Sequence, residues 1–377
     1  MEDSLKKNRA WIEIDLSALK HNVEEIRKIL PAKTEIMAVV KGNAYGHGIV
    51  LVSNYLSTLG IQNFAVATLE EGIKLRESGI SGSILILGYT SIESLKKVAE
   101  YDFIQTIVDE KYAEKLLNLP FRIKVHIKIN TGMNRIGIHY TNIDSIKKIV
   151  VSPSLEVLGI FSHLSSSEQY HKKDIEYTHL QINRFNRLLD HLRKLNISFG
   201  SVHLQSSYGV MNYPELEYDY ARIGMILYGC HSEKEMDLKM SLDLRPVLSL
   251  HAKITSVRVI EQGEFVGYDR AYQAKAKRRI ASLSIGYADG YPRVLSNKTV
   301  VFVNGSYAFI VGRICMDQMM IDVTGIEVKE GDIVTLIGKE EKIRAEYIAY
   351  QAGTISNELL SRLGSRLQMI SIEDSKL

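Results

Sequence analysis

Eight short apolar runs recur along the first 236 residues, each about one strand-and-helix unit from the next. The runs are IMAVVK, FAVAT, ILILG, IQTIV, IKVHIKI, VLGIFSH, VHLQS and ARIGMIL. Amphipathic stretches such as LEEGIKLRES and HLQINRFNRLLDHLRKL separate several of them. Alternation of this kind is typical of parallel strands connected by helices. We therefore predict an α/β fold in which residues 1-236 form a TIM-type (β/α)8 barrel, with a doubly wound open sheet as the alternative.

The pattern changes after about Glu235. The later runs VLSLHAKITSVRVI, RRIASLSI, TVVFVNG, YAFIVG and DIVTLIG are rich in β-branched residues and punctuated by glycine. We predict that residues 237-377 form a second, mostly β domain. Near the other end of the chain, DLSALKHNVEEIRKIL carries apolar residues at three- and four-residue steps. This spacing predicts a helix capped by Asp15.

Charge and cysteine content exclude several classes of function. A net charge of +3 over 377 residues leaves no basic block of the kind that binds nucleic acid. Cys230 and Cys315 are far apart and lack metal-ligand spacing, so we expect neither a disulfide framework nor a metal site. No apolar run is long enough to cross a bilayer, and the opening MEDSLKKNRA lacks the apolar core of a signal peptide. We expect a small-molecule partner, no nucleic acid, no membrane contact from this chain, and a cytoplasmic location.

Residues suited to chemistry interrupt the apolar runs near the ends of the predicted barrel strands. They are Lys41 after the first strand, Lys128 and Arg135 at and beyond the fifth, His163 at the sixth, Ser206 and Ser207 at the seventh, and Arg222 and Gly224 in the eighth. Active sites of such barrels lie at the carboxyl ends of the strands. We therefore expect these residues to face one site, whereas separately they would read as solvated or structural residues.

Lys41 has the most unusual setting, in the segment MAVVKGNAYGHG. A lysine among apolar neighbours can have its ammonium form disfavoured, and the neutral amine can form a Schiff base with an aldehyde. The segments QSSYG and RIG match the place where barrels commonly bind phosphate. Pyridoxal 5'-phosphate supplies both an aldehyde and a phosphate, and is therefore the predicted cofactor.

Eight segments, some of which overlap those above, carry a resemblance to a known enzyme family. They are AVVKGNAYGHG, KINTGMNRIG, GIFSHLSS, RIGMILYG, LRPVLSLHAKI, GEFVGYDRAY, LSIGYADGYPR and VGRICMDQ. Through these segments, in this order and over nearly its whole length, the chain resembles the bacterial alanine racemases. The resemblance implies a pyridoxal-phosphate barrel, a C-terminal β domain, and a homodimer whose active sites use residues of both subunits.

The resemblance also implies roles for individual cofactor-binding residues. Lys41 would hold the cofactor, His163 would face the pyridine ring, and Arg222 would contact the pyridine nitrogen. Four residues would surround the phosphate: Tyr45, Ser207, Gly224 and Met225. A guanidinium can only donate hydrogen bonds, so the ring nitrogen must accept one and is not expected to carry its own proton. The weaker electron withdrawal that follows favours racemisation over transamination or elimination.

Racemisation needs a proton donor on each face of the α-carbon. The resemblance implies that Lys41 serves one face and that Tyr268, contributed by the partner subunit, serves the other. Arg135 and the backbone of Met316 would bind the substrate carboxylate. Lys128 matches a lysine that is often carbamylated in this family, and the modification would turn a cation into an anion able to orient Arg135.

Three positions depart from the usual alanine racemase pattern. Ser206 replaces an asparagine, Asp269 follows Tyr268 where glycine is common, and Asn357 stands where a tyrosine is usual. Asn357 is shorter than tyrosine and offers a donor and an acceptor to a hydroxymethyl group, as in the serine racemases associated with vancomycin resistance that the chain resembles here. We therefore expect Asn357 to bind substrate and serine to be turned over alongside alanine. The alternative is that Asn357 only caps the helix beginning near NELLSRL.

The predicted function is thus an isomerase that racemises alanine and serine and supplies D-amino acids for peptidoglycan. Three alternatives remain open from the sequence: an enzyme that is primarily a serine racemase, a barrel-type amino-acid decarboxylase, and a cofactor-binding module without catalysis. A decarboxylase would be expected to place a carboxylate at the pyridine nitrogen and to lack the GYDRAY and CMDQ pair. A binding module would need neither Tyr268 nor the β domain.

Overall fold

The computed structural model of the chain describes residues 8–373. Residues 1–7 of the predicted barrel domain and residues 374–377 of the predicted β domain therefore lie outside the described residues. Strands β1 to β19 of the described part are, in chain order, Ala10–Asp15, Glu35–Val39, Asn63–Val66, Ser83–Ile86, Ile104–Ile107, Ile123–Asn130, Ile138–His139, Leu155–Phe161, Ser201–Ser206, Tyr220–Ile223, Leu248–Ile260, Phe265–Val266, Tyr272–Gln273, Arg278–Leu283, Val300–Val303, Ser306–Ile310, Met319–Asp322, Ile333–Ile337 and Gln368–Ile372.

Helices α1 to α11 of the same range are Leu16–Ile29, Lys41–Tyr45, Ile49–Thr58, Leu69–Glu77, Leu95–Glu100, Glu110–Leu117, Ile143–Val150, Lys172–Lys194, Ser207–Asn212, Ala345–Ala352 and Ser356–Ser361. Short 3-10 turns cover Ile92–Ser94, Met225–Tyr228, Tyr268–Arg270, Tyr287–Asp289, Arg293–Leu295 and Glu341–Ile343. The predicted first helix is confirmed, since the Asp15 carboxylate accepts the Ala18 N–H at 2.9 Å. Its apolar face, which includes Leu19, Val23 and Ile26, is buried.

Eight parallel strands close into a barrel, which confirms the predicted fold. Neighbouring strands pair in the order β5, β4, β3, β2, β10, β9, β8, β6, and β6 pairs with β5 to complete the circle. This closure excludes the doubly wound open sheet. β10 is shorter than the run ARIGMIL, because Gly224 leaves extended geometry and Met225 begins a 3-10 turn. A small apolar cluster that includes Val39 packs beneath the carboxyl ends of the strands.

A second sheet follows the barrel in the chain and confirms the mostly β C-terminal region. Its strand order is β14, β17, β16, β15, β18, β11, β1, β19, and β11 also pairs with β14. β1 pairs antiparallel with β11 and parallel with β19. β1 therefore belongs to the second sheet, because its backbone forms hydrogen bonds with β11 and β19 and not with a barrel strand. The division between 236 and 237 stays a prediction.

No helix within residues 8–373 is long and apolar enough to cross a membrane. In that same range, no three His, Cys, Asp or Glu side chains gather in a way that could hold a metal ion. Cys230 is buried, Cys315 is half-buried, and both are free thiols.

Candidate active site

A cavity of about 400 Å³ lies at the carboxyl ends of the barrel strands. Eleven residues singled out from the sequence line it: Lys41, Tyr45, Lys128, Arg135, His163, Ser206, Ser207, Arg222, Gly224, Met225 and Asn357. The structure therefore gathers residues that are up to 316 positions apart in the chain, from Lys41 to Asn357. Parallel strands bring their carboxyl ends to one face of a barrel, which explains the convergence of the residues that come from the barrel. Asn357 comes instead from α11, whose Leu360 packs against Gly46 in the turn after Lys41.

Lys41 is followed by a left-handed turn of the backbone. β2 ends at Val39, and the φ angles of Gly42, Asn43, Ala44 and Tyr45 are 63°, 55°, 54° and 51°. Gly42 adopts this conformation without steric penalty and Asn43 tolerates it, whereas Ala44 and Tyr45 are strained. The Asn43 side chain accepts the Ile49 N–H at 3.0 Å and so ties the turn to the next helix. The glycine-rich sequence after Lys41 thus specifies an unusual backbone conformation, which fixes the position of the Lys41 main chain.

The Glu71 carboxylate holds this turn from the side. It accepts the Gly42 N–H at 2.6 Å and, through its other oxygen, the Ala67 N–H at 2.8 Å. Gly46 closes the turn against the backbone of α11, since a Cβ at Gly46 would lie 2.1 Å from the Leu360 carbonyl oxygen. The lysine is thus mounted on a segment fixed by contacts from both sides.

Four cations converge on the cavity: Lys41, Lys128, Arg135 and Arg222. None of the four makes an ion pair with a carboxylate of the described chain. Burial lowers the pKa of Lys41, and the charges of Arg135 and Arg222 lower it further, although Glu71 opposes them. Burial, Arg222 and Arg135 hold the pKa of Lys128 well below its usual range. The cavity therefore favours an anionic ligand and favours neutral lysine amines.

Arg222 is fully buried beneath the cavity and is held by four acceptors. Its guanidinium donates to the Ser162 and Leu204 carbonyls at 2.7 and 2.8 Å. It also donates to Nδ1 of His203 at 2.8 Å and to Nδ1 of His163 at 3.0 Å. Burial and the charge of Arg135 lower its pKa to about 9, which still leaves the group protonated at neutral pH. A fixed positive donor therefore forms part of the cavity floor.

The expected phosphate-binding residues form a compact polar pocket beside the turn. The Ser207 hydroxyl accepts the Gly224 N–H at 3.1 Å, which joins the ends of β9 and β10. A Cβ at Gly224 would lie 3.1 Å from the Tyr45 hydroxyl, so any larger residue would fill this space. Burial raises the pKa of Tyr45 to about 12, and its hydroxyl therefore keeps its proton for donation.

Asn357 lies on the wall of the cavity in α11. The helix spans Ser356–Ser361 and has Ile355 as its N-cap residue, with no side-chain capping bond. The alternative that Asn357 caps this helix is therefore wrong, because Asn357 is already inside the first turn. Its Oδ1 is buried and has no hydrogen-bond partner within the described chain. Asn357 therefore carries an unsatisfied acceptor at the edge of the cavity.

Tyr268 and Met316 lie outside this cavity in the same chain. Tyr268 is 68% exposed and borders a shallow depression on the C-terminal sheet, together with Phe265 and Cys315. Met316 is 53% exposed, and its carbonyl accepts the Ala288 N–H at 3.0 Å. One chain therefore brings together the residues predicted to bind the cofactor but not the predicted second base.

Three further polar residues that the sequence analysis did not select line the cavity: Glu168, Tyr208 and Ser232. Glu168 lies in the loop after β8, where burial and the charge of Glu233 raise the pKa of its carboxyl. The Tyr208 hydroxyl accepts the Ser232 N–H. Glu168 follows the segment HLSSS directly after the sixth barrel strand, and that position was the available signal for it.

Comparison with known families and proteins gives consistent matches over both regions. The alanine racemase N-terminal domain family matches residues 14–232, and the alanine racemase C-terminal domain family matches residues 247–371. An amino-acid racemase of Enterococcus faecalis is 44% identical over 95% of this chain and 51% of its own length. A serine/alanine racemase of Enterococcus gallinarum is 40% identical over 95% of this chain and 51% of its own. The chain spans about half the length of these two relatives.

Among solved structures, the alanine racemase of Clostridium difficile 630 superposes with a TM-score of 0.91 and 33% identity. The alignment covers 98% of this chain and 97% of that one. The chain thus shares the barrel, the second sheet and their order with the alanine racemase of Clostridium difficile 630.

Proposed function

The chain belongs to the alanine racemase family, and from that premise we propose that it is an isomerase, a pyridoxal-phosphate-dependent racemase of small amino acids. The proposed reaction interconverts L- and D-alanine and also L- and D-serine, and it supplies D-amino acids for peptidoglycan. One observation carries the proposal: the Lys41 amine, with a lowered pKa, faces a cavity whose other cations lack carboxylate partners among residues 8–373.

The residues present fit the proposed cofactor. Lys41 provides an amine, which in its neutral form attacks an aldehyde. The Ser207 hydroxyl, the Gly224 backbone and the Tyr45 hydroxyl surround a space suited to phosphate, and a side chain at Gly224 would fill it. Met225 follows Gly224 on the same wall and His163 lies beside Arg222. The unpaired positive charge of the site would offset the negative phosphate.

When bound, pyridoxal phosphate withdraws electrons from the substrate α-carbon after its proton is removed. Arg222 sets how strongly this happens, because a guanidinium has no acceptor and only donates to the ring nitrogen. Such a donor would leave that nitrogen without a proton, and electron withdrawal would be weaker than with a carboxylate in the place of Arg222. Rapid return of a proton to carbon, and thus racemisation, is favoured over competing chemistry.

Lys41 is the proposed proton carrier on one face of the substrate. Burial and neighbouring positive charge lower the pKa of its amine, which makes the neutral, proton-accepting form more accessible. Tyr268 of a partner subunit is the proposed carrier on the opposite face. The exposure of Tyr268 on its own chain is consistent with service in a neighbour's site. A homodimer with shared active sites is therefore part of the proposal.

Arg135 and the Met316 backbone of the partner subunit are proposed to bind the substrate carboxylate. Arg135 lines the cavity and makes no ion pair within the described residues, so its donors are available to an anion. Lys128 is proposed as a carbamylation site. Its buried amine donates to the Ile129 carbonyl at 3.1 Å, and its lowered pKa favours the neutral amine that carbon dioxide modifies.

Asn357 is the proposed determinant of substrate choice. Asn357 lines the cavity, and its buried Oδ1 lacks a partner among residues 8–373. A turn of the side-chain amide would present this acceptor to a serine hydroxyl. Alanine has no such donor and would leave the acceptor unsatisfied. This observation supports the alternative that the enzyme acts primarily on serine.

The reaction is tested with the purified protein, added pyridoxal phosphate and one pure enantiomer of alanine or serine. Optical rotation and carbon dioxide release are followed together. A racemase drives the rotation to zero without gas, a decarboxylase releases carbon dioxide, and a binding module does neither. Persistent rotation with cofactor bound would refute the proposal.

A further inference from the structure

Two histidines that the proposed function does not use lie under Arg222 inside the barrel. Nδ1 of His203 accepts from Arg222 at 2.8 Å, and Nε2 of His203 lies 2.9 Å from Nδ1 of His126. All three side chains are buried, with exposures of 4% or less. We call Arg222, His203 and His126 the histidine chain. It extends from the cavity floor into the barrel interior.

Hydrogen-bond chemistry fixes every proton in the histidine chain. Arg222 has only N–H groups, so Nδ1 of His203 must be the acceptor. A neutral imidazole carries its single proton on the other nitrogen, which places the proton of His203 on Nε2. That proton is donated to Nδ1 of His126, whose own proton must then lie on Nε2. Reversing either histidine would set two N–H groups against each other.

The barrel is shaped to admit His126. A Cβ at Gly159 would lie 2.7 Å from both Cε1 and Nε2 of the His126 ring, so only glycine leaves room there. The pairing of β6 with β8 also shifts register between Val125 and His126, and this places Gly159 opposite the histidine. The Phe161 ring stacks on His203, with centroids 4.6 Å apart and planes at 6°. Backbone and packing thus hold both rings in their orientations.

The surroundings keep both rings uncharged. Burial and the charge of Arg222 lower the pKa of His126 to about 3. Burial, with Arg222, His126 and Lys128, holds the pKa of His203 well below its usual range. The single-proton state that the hydrogen bonds require is therefore the state present at neutral pH.

We propose that His126 is a positioning residue that fixes the tautomer of His203 and, through it, the orientation of Arg222. This inference rests on the proposed function, in which Arg222 donates to the cofactor. His126 touches neither cofactor nor substrate. Without an acceptor at Nδ1 of His126, the buried Nε2–H of His203 loses its hydrogen-bond partner, and only Arg222 still opposes the other tautomer. A proton on the other nitrogen would face Arg222 and push the guanidinium from its place.

A matched pair of variants isolates this role. In His126→Asn, Oδ1 occupies nearly the place of Nδ1 and keeps the acceptor, whereas His126→Leu keeps similar bulk and removes it. We expect kcat for alanine to fall about tenfold to a hundredfold in His126→Leu, the loss that follows when the hydrogen-bond partner of a metal ligand is removed. KM should change little, because Arg135 is untouched. His126→Asn should retain most of kcat.

Gly159→Ala tests the same link without altering a polar group. The added Cβ pushes the His126 ring away from His203, so kcat should fall as in His126→Leu. Equal losses in His126→Asn and His126→Leu would overturn the proposal, because they would show that only the shape of the ring matters.

A direct readout comes from nitrogen NMR of the cofactor-free protein labelled in histidine. The expected spectrum has Nδ1 unprotonated and Nε2 protonated for His203 and His126, and a mixture of tautomers for His203 in His126→Leu. A protonated Nδ1 on His203 in the unmutated protein would overturn the inference. If the tautomers are as expected but the unmutated protein does not racemise amino acids, the proposed function fails and the positioning contact stands.

Discussion

Glu71 accepts the backbone N–H of Gly42 at 2.6 Å, one residue beyond the lysine on which the proposed chemistry depends. The turn that starts at Gly42 is left-handed through Tyr45. Left-handed geometry costs roughly 1–2 kcal/mol for each residue other than glycine. The turn therefore persists because outside contacts hold it, and Glu71 supplies one of them through the Gly42 N–H.

We predict that Glu71→Ala makes the backbone turn that follows Lys41 less stable. Losing a carboxylate that satisfies backbone donors should reduce the free energy of unfolding by about 1–3 kcal/mol and weaken cofactor retention. Glu70→Ala, at the exposed neighbouring position, is the matched control and should change neither quantity. Chemical denaturation and equilibrium dialysis of pyridoxal phosphate give the two values. If the two variants have the same free energy of unfolding and the same cofactor retention, Glu71 does not stabilise the turn after Lys41.

Tyr268 and Lys41 are predicted to act from different subunits. Lys41→Ala and Tyr268→Phe chains, each nearly inactive alone, are expressed together with two different tags. A hybrid dimer isolated through both tags contains one intact site out of two and should show about half of the unmutated activity. Hybrids no more active than the parent variants would contradict the shared site.

Tyr268→Phe should also separate the two faces of the substrate. Both directions of racemisation slow, because both pass through the same two proton transfers. Exchange of the α-hydrogen with deuterium oxide should be impaired unequally for the L and D enantiomers, since Lys41 still serves its own face. Proton NMR of each pure enantiomer measures the exchange. Equal defects would mean that Tyr268 is not a face-specific base.

Asn357→Tyr is predicted to lower the serine-to-alanine ratio of kcat/KM. Relief of crowding alone should change the ratio by no more than about a hundredfold, whereas hydrogen bonding of the hydroxyl can shift selectivity further. Asn357→Leu, which has similar bulk and no acceptor, distinguishes the two causes. A negligible ratio in the unmutated protein, or a ratio that Asn357→Tyr leaves unchanged, would end the serine proposal and leave the racemase proposal intact.

Acid should destabilise the protein through its buried neutral histidines. His47 is fully buried, and burial lowers its pKa to about 4. Below about pH 6.5 the unfolded chain binds a proton that the folded chain rejects, so the free energy of unfolding falls as pH drops towards about 4. One such histidine contributes a slope approaching about 1.4 kcal/mol per pH unit. His47→Gln should flatten the measured slope by that amount, and an unchanged slope would show that His47 takes no part.

The barrel could be predicted because each of its buried strands corresponds to a separate apolar run in the sequence. Lys41, His163 and Arg222 could be assigned to one site from the strand ends alone, since parallel strands share one catalytic face. The pairing of Ala10–Asp15 with the second sheet could not be predicted. A strand pattern of six residues carries no information about its partner strand.

The parts of the site that escaped prediction depend on contacts between distant residues. In the sequence, Glu71 is one of two acidic residues in the first turn of a helix, and only the fold brings it to Gly42. His126 and His203 look like isolated polar interruptions of strands until the barrel places them in contact. The proposed capping role of Asn357 was wrong because helix α11 begins one residue earlier, at Ser356.

The identity of the cofactor-bearing lysine tests the account most directly. The protein is saturated with pyridoxal phosphate, reduced with borohydride to lock the cofactor to the amine that holds it, digested, and mapped by mass spectrometry. Lys128, the other lysine lining the cavity, serves as the internal comparison. The account predicts the pyridoxyl group on the peptide containing Lys41 and its loss in Lys41→Arg. A pyridoxyl group on Lys128 or any other lysine, or none at all, would contradict it.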